Sequence, residues 1–370
     1  MKRLFAFALA IITSNLIMSQ DYKLIAGTYT NGDSKGIYVL KFNPKTAAIT
    51  PLSVTTGVEN PSYLAVSKNE QFVYAVNENG GDKPGEVSAF SFNKKAGTLT
   101  FLNKQQTSGD HPCYVSIDNS GKWVFTANYS GGNFAVLPVN ADGSLGKAAQ
   151  VVDDNKLSTD PKLKAHVHST IFTPDQKYLL VPDLGLEKIF VYKFNPAGRQ
   201  PLTPADQPFI SFKAGHGPRH VSFHPRLPYM YCISENSGTV SSYSYNDGKF
   251  TELQDLSSHP DGFQGTKGSA DIHVSPDGKF VYATNRGDAN SIAIFAIDQV
   301  TGKISLKGIQ STEGKHPRNF TIDPTGNFLL VANRDSNNIV VFAIDRKTGL
   351  LKLHGKPYNV PNPVYLGLVK

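Results

Sequence analysis

SADIHVSPDGKFVYATNR, residues 269–286, decides the fold because the chain repeats its pattern. The stretch alternates apolar and polar residues, turns at Ser275-Pro276-Asp277-Gly278, and closes on an apolar run ending in a polar residue. Such a pattern is two short strands joined by a turn. PSYLAVSKNEQFVYAVNE from Pro61, PCYVSIDNSGKWVFTANY from Pro112 and VHSTIFTPDQKYLLVPDL from Val167 follow it. So do PRHVSFHPRLPYMYCISE from Pro218 and PRNFTIDPTGNFLLVANR from Pro317. In all six copies the terminal residue lies 17 places after the first, and successive starts are 51, 55, 51, 51 and 48 residues apart.

Two further strand-like runs follow each copy, such as GEVSAFSFN then GTLTFLN, or SIAIFAID then GKISLKG. Each unit is therefore four strands with Gly, Asn and Asp turns, and no 3.6-residue period interrupts them. Four-stranded units repeating about every 50 residues predict a β-propeller. A seventh copy starts at Pro363 with PVYLGLVK and holds only a first strand. The N-terminal YKLIAGTYTNGDSKGIYVLKFN and AITPLS supply a second, third and fourth strand with no first. The expected fold is thus an all-β, seven-bladed β-propeller over residues 20–370, four antiparallel strands per blade, with the last blade closed by N- and C-terminal strands. Closure removes the sheet edges that invite aggregation.

By length alone, 370 residues suggest two or three domains. The repeat overrides that prior and turns the 32 Gly and 23 Pro into strand punctuation. Hydrophobic content of 39% excludes wholesale disorder and a multi-spanning membrane protein. Cys113 and Cys232 fall in different units, so no disulfide framework is expected. Lys2 and Arg3 precede an apolar run from Leu4 to Ile12 and a polar break at Thr13-Ser14-Asn15. Residues 1–19 read as a cleaved signal peptide, too short to span a bilayer, which implies export to the periplasm or beyond. Without Lys2 and Arg3 the formal charge falls from +7 to +5. Basic residues are dispersed along the chain, which argues against nucleic acid as a partner. Anionic small molecules remain attractive if those residues converge in space.

In a propeller the first strand of each blade lines the channel and the second runs back beside it. The beginning of strand one and the end of strand two then share one face, so rim residues can be collected by offset. One place after each start lie Ser62, Cys113, His168, Arg219, Ala270, Arg318 and Val364. Two places after lie Tyr63, Tyr114, Ser169, His220, Asp271, Asn319 and Tyr365. Strand two ends at Glu78, Tyr129, Leu184, Glu235, Arg286 and Arg334, with Thr28 in the closing blade. Blades three to six therefore bring His168, Arg219, His220, Glu235, Asp271, Arg286, Arg318 and Arg334 toward one mouth. Arginine binds carboxylate or phosphate bidentately, and His or Glu can move protons near neutral pH. A polar collar also suits any solvated channel rim, so position alone does not establish a site.

His166 and His168 form H-x-H at a strand start and could ligate a metal, but no third ligand stands at a recognised spacing. Hydrogen-bonding or base roles are preferred, and no metal or other cofactor is expected. His111, His224, His259 and His316 precede Pro and read as turn residues, His316 also near the rim, while His273 reads equally as a satisfied channel-wall histidine or a catalytic one. The G-x-S-x-G match at Gly32–Gly36 lies between strands, not at the strand-to-helix elbow that motif requires.

AHVHSTIFTPDQKYLLVPDLG, GPRHVSFHPRLPYMYCISEN, SADIHVSPDGKFVYATNRG and HPRNFTIDPTGNFLLVANRDSNNIVVFAIDRKTG together resemble the lactonase family of seven-bladed propellers. That family includes the propeller type of 6-phosphogluconolactonase and the fungal muconate-lactonising enzymes. The resemblance implies a catalytic His, two Arg and a Glu. These fall on His166 or His168 (the latter favoured), Arg219, Glu235 and Arg286, with His220, Asp271 and Arg318 as candidate substrate contacts. Arg334, from the rim, and His166 complete the candidate set.

The expected activity is hydrolysis of a sugar-derived or anionic lactone by acid/base catalysis without a metal. The resemblance makes a 6-phosphogluconolactonase-like activity the expectation, whereas the expected leader points outside the cytoplasm. Either the segment is not a functional signal and the protein is cytoplasmic, or the substrate is another lactone such as an unphosphorylated sugar-acid lactone. Two rivals stand beside it: a muconate-type cycloisomerase using the same groups in reverse, and a non-catalytic secreted propeller that binds partners on its faces.

Overall fold

Residues 21–158 and 160–370 are described by the computed structural model, and the leader expected at residues 1–19 lies outside the described residues. The sheets form seven blades in chain order. Blade one runs Leu64–Val66, Phe72–Asn77, Glu86–Asn93 and Thr98–Gln106. Blade four runs Pro218–Phe223, Tyr229–Ser234, Thr239–Asn246 and Lys249–Ser257. Blade five repeats this from Ser269, and each neighbouring pair of strands is antiparallel. Blade seven joins Pro363–Val369 to Tyr22–Thr28, with Lys23 opposite Val369 and Gly27 opposite Tyr365. The expected seven-bladed closure is what the chain forms. No helix among the described residues is long and apolar enough to cross a membrane.

One blade departs from four strands. The outer edge of blade six is broken into Leu351–Leu353 and Tyr358–Asn359, both paired with Asn338–Ile344. The intervening HGKP supplies the reason: Pro357 has no N–H for the ladder, and Gly355 takes φ of +71°.

Apolar content is divided among seven clusters, one at each blade-to-blade interface. Phe125 and Phe134 of blade two pack with Leu179 and Phe190 of blade three, and Leu24 and Phe42 of blade seven meet Phe328 and Leu330 of blade six. Second strands are covered on both faces, so Phe280–Asn285 is buried at every position. That is why these strands read as continuous apolar runs. Inner strands of successive blades touch from blade four through seven to blades one and two, closing the channel wall.

A register change recurs at the top of the inner strands. Pro218 pairs with Ser234 but His220 with Ile233, leaving Arg219 as an extra residue. Cys113 is extra between Pro112 and Tyr114, and Arg318 between Pro317 and Asn319. A bulge puts two residues opposite one and re-aims a side chain. Here it turns consecutive residues, which a regular strand would send to opposite faces, toward the channel.

Candidate active site at the channel mouth

The Asn that closes the second strand in blades two, five and six ties down the residue after it. Asn285 Nδ2 donates to Ser258 O at 2.9 Å, Asn333 Nδ2 to Thr312 O at 3.0 Å, and Asn128 Nδ2 to Thr107 O at 3.0 Å. Each bond ties the loop arriving from the previous blade to the strand end, so Arg286, Arg334 and Tyr129 start from fixed backbone. Behind Arg286, Gly287 has φ of +61°, and a Cβ there would lie 2.1 Å from Thr266 O. Only glycine allows this turn.

Glu235 links the two central arginines. Its Oε2 accepts from Arg219 Nε at 2.7 Å and lies 2.8 Å from Arg286 Nη2. Arg219 Nη1 also donates to Ala270 O, and Arg286 Nε to Gly268 O at 2.7 Å. Burial pushes the Glu235 carboxyl up, but Arg286, Arg219 and Arg318 outweigh it and hold it below its usual range. Burial lowers the Arg286 pKa to about 10, with Glu235 opposing. The carboxylate therefore fixes two guanidiniums whose remaining N–H groups can serve a ligand oxygen. Arg219 is fully buried, whereas Glu235 keeps a fifth of its side chain in solvent.

A second carboxylate stands across the opening. Glu78 accepts from Tyr29 Oη at 2.9 and 3.0 Å and from Ser62 Oγ, with Arg318 Nη2 3.9 Å away. The Arg318 guanidinium also lies 5.7 Å above the Tyr29 ring. Tyr29 corrects the expected rim residue of the closing blade, Thr28. Thr28 pairs with Pro363 as Asn333 pairs with Pro317, so the rim place falls one residue later. Thr28 Oγ1 instead donates to Gly36 O, inside the blade.

His168 and His166 both meet Tyr129 but face different surroundings. His166 stacks on the Tyr129 ring at 4.6 Å, and its Nδ1 lies 3.1 Å from Tyr129 O. His168 is buried, 5.6 Å edge-on to Tyr129 and 5.1 Å from the His220 ring. Burial, then Arg219, His220, Arg318 and Arg286, hold its pKa well below the ordinary imidazole range, so it is neutral among cations.

His220 and Asp271, expected as candidate substrate contacts, form a layer beneath the mouth. Both are buried, and His220 Nδ1 lies 2.8 Å from Asp271 Oδ1. His273 Nε2 at 3.0 Å, Asn319 Nδ2 at 2.5 Å and two backbone N–H groups occupy the rest of the Asp271 carboxylate. It has no free lone pair for a ligand. Tyr63, Tyr114 and Tyr365 continue this layer around the channel, with Tyr63 stacked on Tyr114 at 4.1 Å.

Arg334 belongs to the outer edge. It donates to Asp335 Oδ1 at 2.6 Å and is one-third exposed. His316 sits beside it, its Nδ1 3.6 Å from Asp335. Burial, Arg286 and Arg334 lower its pKa to about 3, placing this turn histidine within reach of the same charges.

A ring of seven such blades with this Arg, Glu and His cluster can be matched to known proteins. Residues 23–368 match the family described as "Lactonase, 7-bladed beta-propeller". The chain belongs to that lactonase family. Among curated relatives, the 6-phosphogluconolactonase of Bacillus subtilis is 38% identical over 312 residues, covering 84% of this chain and 87% of that protein. Among solved lactonase-like structures, a putative 6-phosphogluconolactonase from Bacteroides fragilis superposes with a TM-score of 0.90 at 41% identity, covering 96% of this chain and 99% of that one. The Pseudomonas aeruginosa periplasmic gluconolactonase gives 0.89 at 38% identity, covering 95% and 99%.

Of the residues expected for a lactonase site, the fold gathers Arg219, Glu235, Arg286, Arg318 and His168, with His166 at the edge. Glu78 and Tyr129 were on the rim by offset but had no role assigned, and Tyr29 was missed. The closing blade lacks a leading Pro directly before its second strand, so only the pairing with Pro363 reveals its register. Among the described residues, no three His, Cys, Asp or Glu side chains converge as a metal-binding group.

Proposed function

We propose that this mouth hydrolyses a sugar-acid lactone, in the manner of 6-phosphogluconolactonase, by general acid–base catalysis without a metal. The observation that carries the reading is the bond of Glu235 Oε2 to both Arg219 and Arg286, beside a neutral His168. Arg219 and Arg286 polarise the lactone carbonyl and hold the oxyanion as water adds, an electrostatic contribution placed where charge develops. His168 removes the proton from the attacking water and returns it to the ring oxygen as the C–O bond breaks. Ring opening leaves a hydroxy acid, whose carboxylate Arg219, Arg286 and Arg318 favour. Glu235 fixes the arginines, not the histidine.

The apolar leader at residues 1–19, together with a relative described as periplasmic, supports action outside the cytoplasm on an unphosphorylated lactone. The test is a panel of glucono-δ-lactone, 6-phosphoglucono-δ-lactone and cis,cis-muconate with chelator present and spontaneous hydrolysis subtracted. Lactone opening that survives chelator and disappears in Arg219→Ala is expected. Muconate cyclisation in place of lactone opening would give the cycloisomerase reading, and no turnover of any substrate would give the binding reading.

A further inference from the structure

Two buried ring nitrogens beneath the mouth have no hydrogen-bond partner: His168 Nδ1 and His220 Nε2. They belong to imidazoles whose centroids lie 5.1 Å apart with planes at 66°. As the rings stand the two nitrogens are not hydrogen-bonded to each other, so a bond between them requires one ring to turn. An N–H···N bond between two imidazoles spans about that distance, two ring radii of about 1.1 Å plus about 2.9 Å between nitrogens. Leaving a buried polar atom unpaired costs about 1–3 kcal/mol, so one bond relieves two penalties.

The proton positions follow from Asp271. Its carboxylate can only accept, so His220 Nδ1 must carry the proton in their 2.8 Å contact. Burial, with Arg219, lowers the His220 pKa to about 4 against Asp271, so at neutral pH it has no second proton. Its Nε2 therefore presents a bare lone pair beside His168. We propose that His220 and Asp271 are a positioning dyad for His168. In this dyad, Asp271 Oδ1 accepts from His220 Nδ1–H and His220 Nε2 accepts from His168 Nδ1–H, which leaves the His168 Nε2 lone pair for the mouth. Asp271 is itself immobilised from blades five and six by His273, Asn319 and the Phe320 N–H. The other groups facing His168 are Arg219, Arg286, Arg318 and the Tyr129 ring, and its carbonyl accepts from Cys113 Sγ at 3.5 Å. The three guanidiniums carry donors only and cannot accept its Nδ1 proton in place of His220.

The inference rests on His168 being the base, and its test separates the two ideas. Histidine ¹⁵N spectra of the full chain, with His168 assigned by its loss in His168→Gln, read the tautomer whether or not any lactone is turned over. The expected result is His168 protonated on Nδ1; protonation on Nε2 overturns the dyad. In the activity arm, His220→Asn keeps a donor for Asp271 and removes the acceptor for His168. It should lower kcat by about 10²-fold with KM unchanged within about twofold. His220→Gln places an amide oxygen near the lost nitrogen and should recover about tenfold of that. Full kcat in a folded His220→Asn, or parallel losses in both variants that track melting temperature, would assign His220 to packing alone. Wild-type protein inert on every lactone but with His168 protonated on Nδ1 would defeat the lactonase reading and leave the dyad standing.

Discussion

Arg219 and His220 are adjacent in the chain, as are Arg318 and Asn319, yet the two members of each pair occupy opposite settings. The upper residues carry charge toward an open mouth and are balanced by Glu235 and Glu78, which still touch solvent. The lower residues form a closed layer in which His220, Asp271 and Asn319 bond to one another and three tyrosines stack against the opposite wall. A bulge lets consecutive residues share the channel, and depth then decides what each can do. The upper layer can exchange hydrogen bonds with a ligand. In the lower layer Asp271 has used its own on the protein, while His220 keeps Nε2 without a partner.

Substitutions in the upper layer should cost activity and little folding. Arg219→Ala or Arg286→Ala removes a donor to the oxyanion and should reduce kcat/KM by about 10²- to 10³-fold in a lactone assay. A circular dichroism spectrum like wild type would locate the loss in the site. Glu235→Gln keeps the shape but removes the charge that balances two guanidiniums and should cost about 10- to 10²-fold. A variant at full rate would remove Glu235 from the machinery.

The acid limb of the rate profile gives a gentler test. Because burial and the surrounding arginines hold His168 well below the ordinary imidazole range, it stays unprotonated as pH falls past 6.5. Glu235 is likewise held ionised below the usual carboxylate range by Arg286, Arg219 and Arg318 against the effect of burial. Turnover should therefore change little as pH falls from about 8 through 6.5. An acid limb centred near 6.5 would point to an imidazole in ordinary surroundings. The smallest effect is expected at the outer edge: Arg334→Ala breaks only an exposed pair with Asp335 and should leave kcat/KM within about threefold.

Much of this was legible in the sequence because the repeat is rigid. Six copies of equal length placed the strands, and the split pattern at the two ends placed the closure. The offsets worked for a reason the sequence does not display. Arg219 and His220 would face opposite ways in a regular strand, and only the recurring bulge lets both be counted toward one channel. Depth was equally hidden: the sequence does not show that Asp271 and His220 lie buried beneath the mouth, bonded to each other. Tyr29 was lost to register, since a one-residue slip in the closing blade moved the rim place onto Thr28. Pro357 and Gly355 were visible as breakers, but whether they end a strand or split it depends on pairing with blade six.

The join between Tyr22–Thr28 and Pro363–Val369 also sets an order of events. Loop-closure entropy disfavours a pairing between partners so far apart in the chain until the intervening units exist. Six blades can assemble as they emerge during synthesis, but Lys23 must wait for Val369. Until then the strand Tyr22–Thr28 has an open edge, and Tyr29 is not yet anchored beside Glu78. The strand Pro363–Val369 is thus the latch that completes the channel mouth as well as the ring.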